Sequence, residues 1–355
     1  MPKYLTIADY IENQILNHVW VPNQQLPSEK ELMNRFHVSR QTVRNALEYL
    51  AGKNMVHSVQ GKGTFVSETI RAAVPANKNV AIILGNLTNY IFPYKSVGMN
   101  TVLSRNGYTS SVFASGVRVD RQEQLIETVL QGSYAGVIME VSKAALPRPN
   151  PELLTKLQKR LPVVLIDGFY RGFDIPYVSL DDYRGGYIAA EHLIRKGHKK
   201  IFHVGMCDAI QGMLRYQGYA RALTDNGIEL NDEYVHWCVE EDQYHMVPGQ
   251  LEEICRKIRT CTAVFFYNDL IASCILPELI RSGVRIPDDL AVIGYDDCTQ
   301  LIPGLEMSSI CYPKEHLGEK AAENLLRLIK NPDYDANYLF EPVLIEREST
   351  NIVLT

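Results

Sequence analysis

From Asn79 onward the chain alternates short apolar runs with helix-length segments, and this alternation limits the fold more than any other feature. The runs are Val80–Leu84, Ser110–Ala114, Gly136–Met139, Val163–Asp167, Lys200–Gly205, Ala263–Tyr267 and Ala291–Tyr295. Each ends in polar or glycine residues, the pattern of parallel strands buried on both faces by crossover helices. They are too many for one small sheet, so two α/β lobes flanking a cleft are expected, with Pro176–Ser179 as a hinge crossover. In open α/β sheets ligands bind beyond the carboxyl ends of the strands. The strand-end residues are therefore candidates for a site.

Residues 1–67 follow a different period. Ile7, Ile11 and Ile15 recur every four residues on a first helix. Ser28 and Glu31 form an S-x-x-E capping box that starts a second helix, about Glu29–Phe36. His37-Val38-Ser39 is a tight turn, and Ser39 caps a third helix from Arg40. Val43, Ala46, Leu47 and Leu50 lie on its buried face, and Arg40, Gln41, Arg44 and Asn45 lie on the opposite one. Met55–Val59 and Thr64–Val66 flank a glycine-rich turn at Gln60–Gly63, a β-hairpin wing. Gly61-Lys62-Gly63-Thr64 lacks the spacing of a nucleotide-binding loop and no helix follows it.

Charge supports the division. The whole chain carries −5, but residues 1–66 hold seven Lys/Arg against five Asp/Glu, leaving +2 there and −7 elsewhere. Within 30–62 the ratio is six to two. A phosphate-facing surface needs such a concentration of positive charge, and arginine and glutamine are the residues that read base edges. A solvated helix with incidental arginines is the plainer alternative. Residues 68–79, aperiodic and containing a proline, read as a linker. The domain reading is thus 1–67, the linker, and 80–355.

The run L-P-S-E-K-E-L…F-x-V-S-R-x-T-V-R-x-A-L with V-Q-G-K-G-T-F-V resembles the DNA-binding domain of the GntR family of bacterial regulators. The resemblance implies a winged helix-turn-helix in which Lys30, Arg40 and Arg44 face operator DNA. It also implies that Ser39, Gln41 and Thr42 contact backbone or bases, and that Gln60 and Gly61 at the wing tip enter the minor groove, with Lys62 meeting phosphate. Gln41 stands at a position that varies in that family.

Tyr90 and Phe92 follow the first strand of the larger region, and Asp181-Asp182, Asn268-Asp269 and Asp296-Asp297 follow later ones; Arg215 precedes Gly218. Rings that stack on C–H faces, with carboxylates, an amide and a guanidinium, suit a sugar. Each also has a plainer reading: Asp-Asp as a turn or helix cap, the aromatics as core, Arg215 as a surface ion pair. The stretches V-S-L-D-D-Y-x-G-G-Y…G-H-K-K-I, R-x-x-G-Y-x-x-A-L, Y-N-D-x-x-A and I-P-D-D-L-A-V-I-G-Y-D-D are similar to the effector domains of LacI-family repressors, which are related to periplasmic sugar-binding proteins. The implied fold is a two-lobed, α/β, type I periplasmic-binding-protein-like domain. Arg215 and Asp296 would be central ligand contacts, with Tyr90, Phe92, Asp182 and Asn268 around the sugar. His192 and His198 take structural roles. The pairing of these two domains is similar to the family of arabinose-responsive repressors of Gram-positive bacteria, and it implies L-arabinose as inducer and a homodimer through the effector domain.

Other function classes find less support. The seven cysteines are odd in number, scattered and without a C-x-x-C pair, so neither a disulfide framework nor a zinc site is expected. No secretory signal or membrane span is read, which points to a cytoplasmic location and away from a transport-type binding protein. No nucleophile elbow, zinc-protease motif or dinucleotide loop is present, so no catalysis, metal or cofactor is expected. A sugar-binding cleft with enzymatic activity, and a response to another sugar or a sugar phosphate, remain alternatives.

Overall fold

A computed structural model describes residues 3–16, 19–53, 55–67, 77–87 and 90–352. The chain divides into two compact units, Met1–Ala76 and Asn77–Thr355. Most of the stretch read as linker, residues 68–76, lies outside the described residues. Its last residues differ from that reading: Asn79 already begins a strand and its N–H is bonded to Asn77 Oδ1 at 2.9 Å.

The first unit packs α1 (Lys3–Leu16), α2 (Glu29–Phe36) and α3 (Arg40–Gly52) against the hairpin β1 (Val56–Val59) and β2 (Gly63–Val66). The capping box forms as its residues require: Glu31 N–H donates to Ser28 Oγ at 3.3 Å, and Ser28 N–H donates to Glu31 Oε2 at 2.7 Å. Four orphan N–H groups open every helix, and this reciprocal pair satisfies one and fixes the entry angle. His37 ends α2 in the left-handed region, and Ser39 then caps α3 by accepting from Thr42 N–H at 3.4 Å. Ile7, Ile11, Ile15, Leu32, Val43, Ala46, Leu47 and Leu50 form one core with Met55, Val56 and Val66. Two residues of the interhelix stretch extend the wing: Leu26 N–H donates to Thr64 O at 2.8 Å and Gln25 Nε2 to Lys62 O at 2.6 Å. Gly63, at φ +116°, leaves room for that amide, since a Cβ there would meet Gln25 Nε2 at 2.7 Å.

The second unit runs β3 (Asn79–Leu84), α4 (Phe92–Arg105), β4 (Thr109–Ala114), α5 (Val119–Gln131), β5 (Gly136–Glu140), α6 (Pro151–Arg160), β6 (Val163–Ile166) and β7 (Tyr177–Leu180). It continues with α7 (Asp182–Arg195), β8 (Ile201–Met206), α8 (Ile210–Asp225), β9 (Val235–Cys238), α9 (Pro248–Ile258), β10 (Ala263–Phe266), α10 (Asp269–Arg281) and β11 (Ala291–Tyr295). It ends with β12 (Ser308–Cys311), α11 (Lys314–Lys330), β13 (Tyr338–Phe340) and β14 (Val343–Ile345). Two sheets result, in the orders β13-β7-β6-β5-β3-β4 and β14-β12-β11-β10-β8-β9. Neighbouring strands are parallel except β14, which runs antiparallel to β12.

Each sheet is the floor of one lobe, and the chain passes between lobes after β7, after β12 and between β13 and β14. Residues 177–179 of the segment read as a hinge crossover thus belong to a strand, β7, and the crossing begins after that strand ends, at Asp181. The strands that sequence reading did not find, β9, β12, β13 and β14, are only three or four residues long, and three of them lie at sheet edges. Only tertiary pairing makes them strands.

Glycines set how closely the flanking helices approach. A Cβ at Gly186 would sit 2.1 Å from the Arg215 carbonyl oxygen, and one at Gly218 2.0 Å from that of Tyr183, so α7 and α8 cross in backbone contact. Gly98 and Gly318 allow the same between α4 and α11.

Candidate functional site

Beyond the carboxyl ends of both sheets lies a cavity of about 70 Å³. One water needs about 10–15 Å³ on that measure, so the space suits a single small polar molecule. The first lobe contributes Tyr90, Phe92, Glu140 and Asp167, and the second Asp182, Arg215, Glu240, Asn268 and Asp296. Tyr312, at the second crossing, closes the back. All six residues expected around a ligand, Tyr90, Phe92, Asp182, Arg215, Asn268 and Asp296, line this one space.

Arg215 is buried on α8, held there by the Gly186–Gly218 crossing. Its Nε donates to Asp182 Oδ1 at 2.8 Å and its Nη1 to the Tyr267 carbonyl at 2.6 Å, with Tyr295 stacked 3.5 Å from the guanidinium. Its Nη2 stands 4.0 Å from Asp296 Oδ1, too far for a hydrogen bond. The surface ion-pair alternative therefore does not hold. Asp296 adopts φ +94°, which turns its carboxyl inward; Oδ2 accepts from Tyr90 O–H, while buried Oδ1 has no protein partner. A buried acceptor left open beside a half-committed guanidinium is a ligand-binding geometry. Burial raises the carboxyls of Asp296 and Asp182, the latter to about 6, against the opposing pull of Arg215.

The cap reading holds for the neighbours of these residues. Asp181 caps α7 by accepting from Arg184 N–H at 3.0 Å. Asn268 does both: its Oδ1 caps α10 through Ile271 N–H at 2.9 Å while its amide donates to Gln243 Oε1 at 2.7 Å. Asp269 accepts from Tyr295 N–H, Cys298 N–H and Ser309 O–H at 2.7–3.0 Å, and so fixes the loop that carries Asp296. His192 and His198 pair with Thr350 and Thr262, each at 2.9 Å, away from the cavity.

Sequence reasoning missed Glu140, Asp167, Glu240, Gln243, Tyr244 and Tyr312. Glu140 and Asp167 end recognised strands, and a strict use of the strand-end rule would have found them. Behind them the fully buried Lys95 of α4 bonds Glu140 at 2.6 Å and also bonds Asp167, whose other oxygen accepts from Tyr312 O–H. Burial pushes the Glu140 carboxyl up to about 7 despite Lys95. For Asp167 burial pulls the same way, but Lys95 outweighs it and holds the carboxyl below its ordinary value. No sequence signal marks the 240–244 segment or Tyr312, whose place depends on crossovers.

In the first unit Lys30, Ser39, Arg40, Gln41, Arg44, Gln60, Gly61 and Lys62 are exposed and Thr42 is half-buried. Arg40 Nε is bonded to Glu29 of α2 at 2.6 Å and Gln41 to Asn45 at 2.8 Å, so both base-reading candidates hold internal bonds. Ser39 and Thr42 are engaged with each other in the cap at 2.9 Å. Gly61, at φ +75°, shapes the wing tip.

Among the described residues no helix is long and apolar enough to cross a membrane. Residues 3–66 match the model of bacterial regulatory proteins of the gntR family, and residues 190–350 that of a periplasmic binding protein-like domain. The chain is 30% identical to the arabinose metabolism transcriptional repressor of Halalkalibacterium halodurans, over 98% of this chain and 96% of that one. It is 28% identical to the ribose operon repressor of Haemophilus influenzae, over 88% and 90%. Among solved structures, a transcriptional regulator CelR in complex with cellobiose superposes with a TM-score of 0.66 at 25% identity, covering 88% of this chain and 91% of that one.

Proposed function

Because the chain belongs to the family of GntR-type bacterial transcriptional repressors with a periplasmic-binding-protein-like effector domain, we propose that it is a cytoplasmic, sugar-responsive repressor whose inducer is L-arabinose. It is a regulator and not an enzyme. The observation that carries the effector reading is the cavity itself: Arg215 half-committed to Asp182, facing the open Oδ1 of Asp296. A vicinal diol bridges such a pair, one hydroxyl accepting from the guanidinium and another donating to the carboxylate. Arabinose is favoured over ribose by the more extensive similarity to arabinose repressors. A sugar phosphate is disfavoured because five carboxyl groups line the cavity beside one lining cation, Arg215.

The chain acts as a homodimer joined through its effector domains, which presents two winged helices to a near-palindromic operator. Lys30, Ser39, Arg40, Gln41, Thr42 and Arg44 contact the major groove and backbone, and Gln60, Gly61 and Lys62 the minor groove. Sugar closes the lobes and disfavours the DNA-competent arrangement. By linkage the operator weakens sugar binding by the same factor.

Fluorescence anisotropy of DNA from the chain's own promoter, titrated with and without L-arabinose, tests this reading. Tight binding that arabinose releases is the expected result. Tight binding released only by a sugar phosphate would replace the inducer, and equal sugar affinity with and without operator would end the release mechanism.

A further inference from the structure

The segment between β9 and α9 carries three cavity-lining side chains, Glu240, Gln243 and Tyr244, and it is fastened from both lobes. Glu240 N–H donates to both oxygens of Asp208 at 3.1 and 3.2 Å. Across the cleft Lys143 of the first lobe reaches that same Asp208 at 3.1 Å and Glu241 at 2.7 Å. Gln243 is bonded to Asn268. The Glu240 carboxyl is thereby held over the cavity, and its buried Oε2 has no hydrogen-bond partner in the protein. Of the described cavity-lining residues, only Glu240 and Asp296 leave such an atom open. Buried polar atoms without a protein partner call for a ligand atom or water.

We propose that Glu240 is a specificity-determining residue of the effector cavity: its open Oε2 bonds a hydroxyl of the bound sugar, and the site there favours a neutral sugar over one that carries a phosphate or carboxylate, because no cation is free to hold the anion. The proposal rests on the reading of the cavity as a sugar site. Lys143, the cation that reaches this segment from the first lobe, is spent on Asp208 and Glu241 and so is not free to hold an anion there. Burial, reinforced by Asp208 and Glu140, pushes the Glu240 carboxyl well above its ordinary value. A carboxyl that keeps its proton donates to a hydroxyl oxygen.

Isothermal titration of the full chain with L-arabinose, D-ribose and D-ribose 5-phosphate, on wild type, Glu240→Gln and Glu240→Ala, tests it. Glu240→Ala should weaken binding of the neutral sugar about 5- to 15-fold, the loss of one buried hydrogen bond. Glu240→Gln, which keeps a donor and an acceptor, should stay within about threefold. A purely structural role would lower the melting temperature of the ligand-free Ala variant, whereas a ligand-facing role shrinks only the rise that sugar produces. Neutral-sugar binding by Glu240→Ala equal to wild type overturns the assignment and leaves the sugar reading standing. Wild type that binds the 5-phosphate as tightly as the neutral sugars overturns the exclusion of anions. Wild type that binds neither neutral sugar overturns the sugar reading itself.

Discussion

In the first unit the residues that face DNA in the proposal are exposed, Thr42 apart, and their side-chain bonds are short in sequence; in the second, the central cavity residues Arg215, Asp182, Asp167 and Asp296 are buried and tied across the chain. Gln41 bonds Asn45 four positions on, and Ser39 bonds Thr42 three positions on. Tyr90 bonds Asp296 over 206 positions and Tyr312 bonds Asp167 over 145. Tyr90, Lys143, Asp167 and Asp296 also hold positive φ, a conformation that side chains other than glycine adopt only when the surroundings impose it. The difference is one of dielectric and of constraint. An exposed reader loses little stability when a side chain is removed, because water replaces what was lost. A buried ion-paired residue of the sensor such as Arg215 loses binding and stability together, because its removal leaves a buried carboxyl without its cation.

The largest effect should come from Arg215→Ala. It leaves Asp182 and Asp296 in a buried site without their cation and should cost about 3–5 kcal/mol of stability. Release by sugar should disappear while operator binding persists at temperatures where the variant is folded. Anisotropy with arabinose checks this, and release at the wild-type midpoint would remove Arg215 from the site.

Acidity should separate the units next. Burial raises Asp182 to about 6 and Glu140 to about 7, above what they have in an unfolded chain. The folded second unit therefore keeps protons that the unfolded chain has released, and its stability falls as pH rises from about 4 to 7. Moving from pH 8 to 5 should stabilise it through these two groups by on the order of 4 kcal/mol. His203 offsets this in part: burial holds its imidazole down to about 3, so the unfolded chain takes up a proton there that the folded one does not. In the first unit the Ser28 hydroxyl and N–H hold the Glu31 carboxyl below its ordinary value, so that contribution is present at neutral pH and is lost only as pH falls below about 4. Calorimetry that resolves the two transitions should show only the second moving between pH 8 and 5, and a parallel shift of both would break the comparison.

Arg44→Ala should cost about 1–3 kcal/mol in operator binding and nothing in melting temperature, with the loss concentrated at particular base pairs. Lys62→Ala should weaken all sequences alike and reduce the salt slope by about one. Competition with single-substituted operators distinguishes the two, and a uniform loss for Arg44 would make it a phosphate contact. The smallest effect is that of Ser28→Ala, which removes a cap worth about 1 kcal/mol. Denaturant melts should show it in the first transition alone.

Legibility follows the same division. The capping box, the turn at His37, the cap at Ser39 and the buried stripe of α3 depend on residues at most seven positions apart, and each stands in the structure where its spacing places it. The apolar strands were legible for the same reason. Short strands such as β9 and β12 were not, because pairing with a neighbour, not their own side chains, makes them extended. In the cavity, Tyr90, Arg215 and Asp296 were legible as strand-end or motif residues. Lys95 sits in the first turn of a helix and reads as an ordinary surface lysine until that turn is found buried against Glu140 and Asp167. The clamp of Gln25 on the wing escaped notice likewise, joining residues 37 positions apart.

The sequence by itself determined where helices start and stop, which faces they bury, the existence of two doubly covered sheets and the family to which the chain belongs. Those outcomes rest on local sterics, capping and hydrophobic period, which act over a few residues. Only the tertiary structure decided that three crossings would gather carboxyls from both lobes around Arg215, that Lys95 would be enclosed with two of them, and that Glu240 and Asp296 would each keep an oxygen open. Those outcomes depend on burial and on charges brought together from distant positions, and the strength of such interactions exists only once folding has removed the water between them.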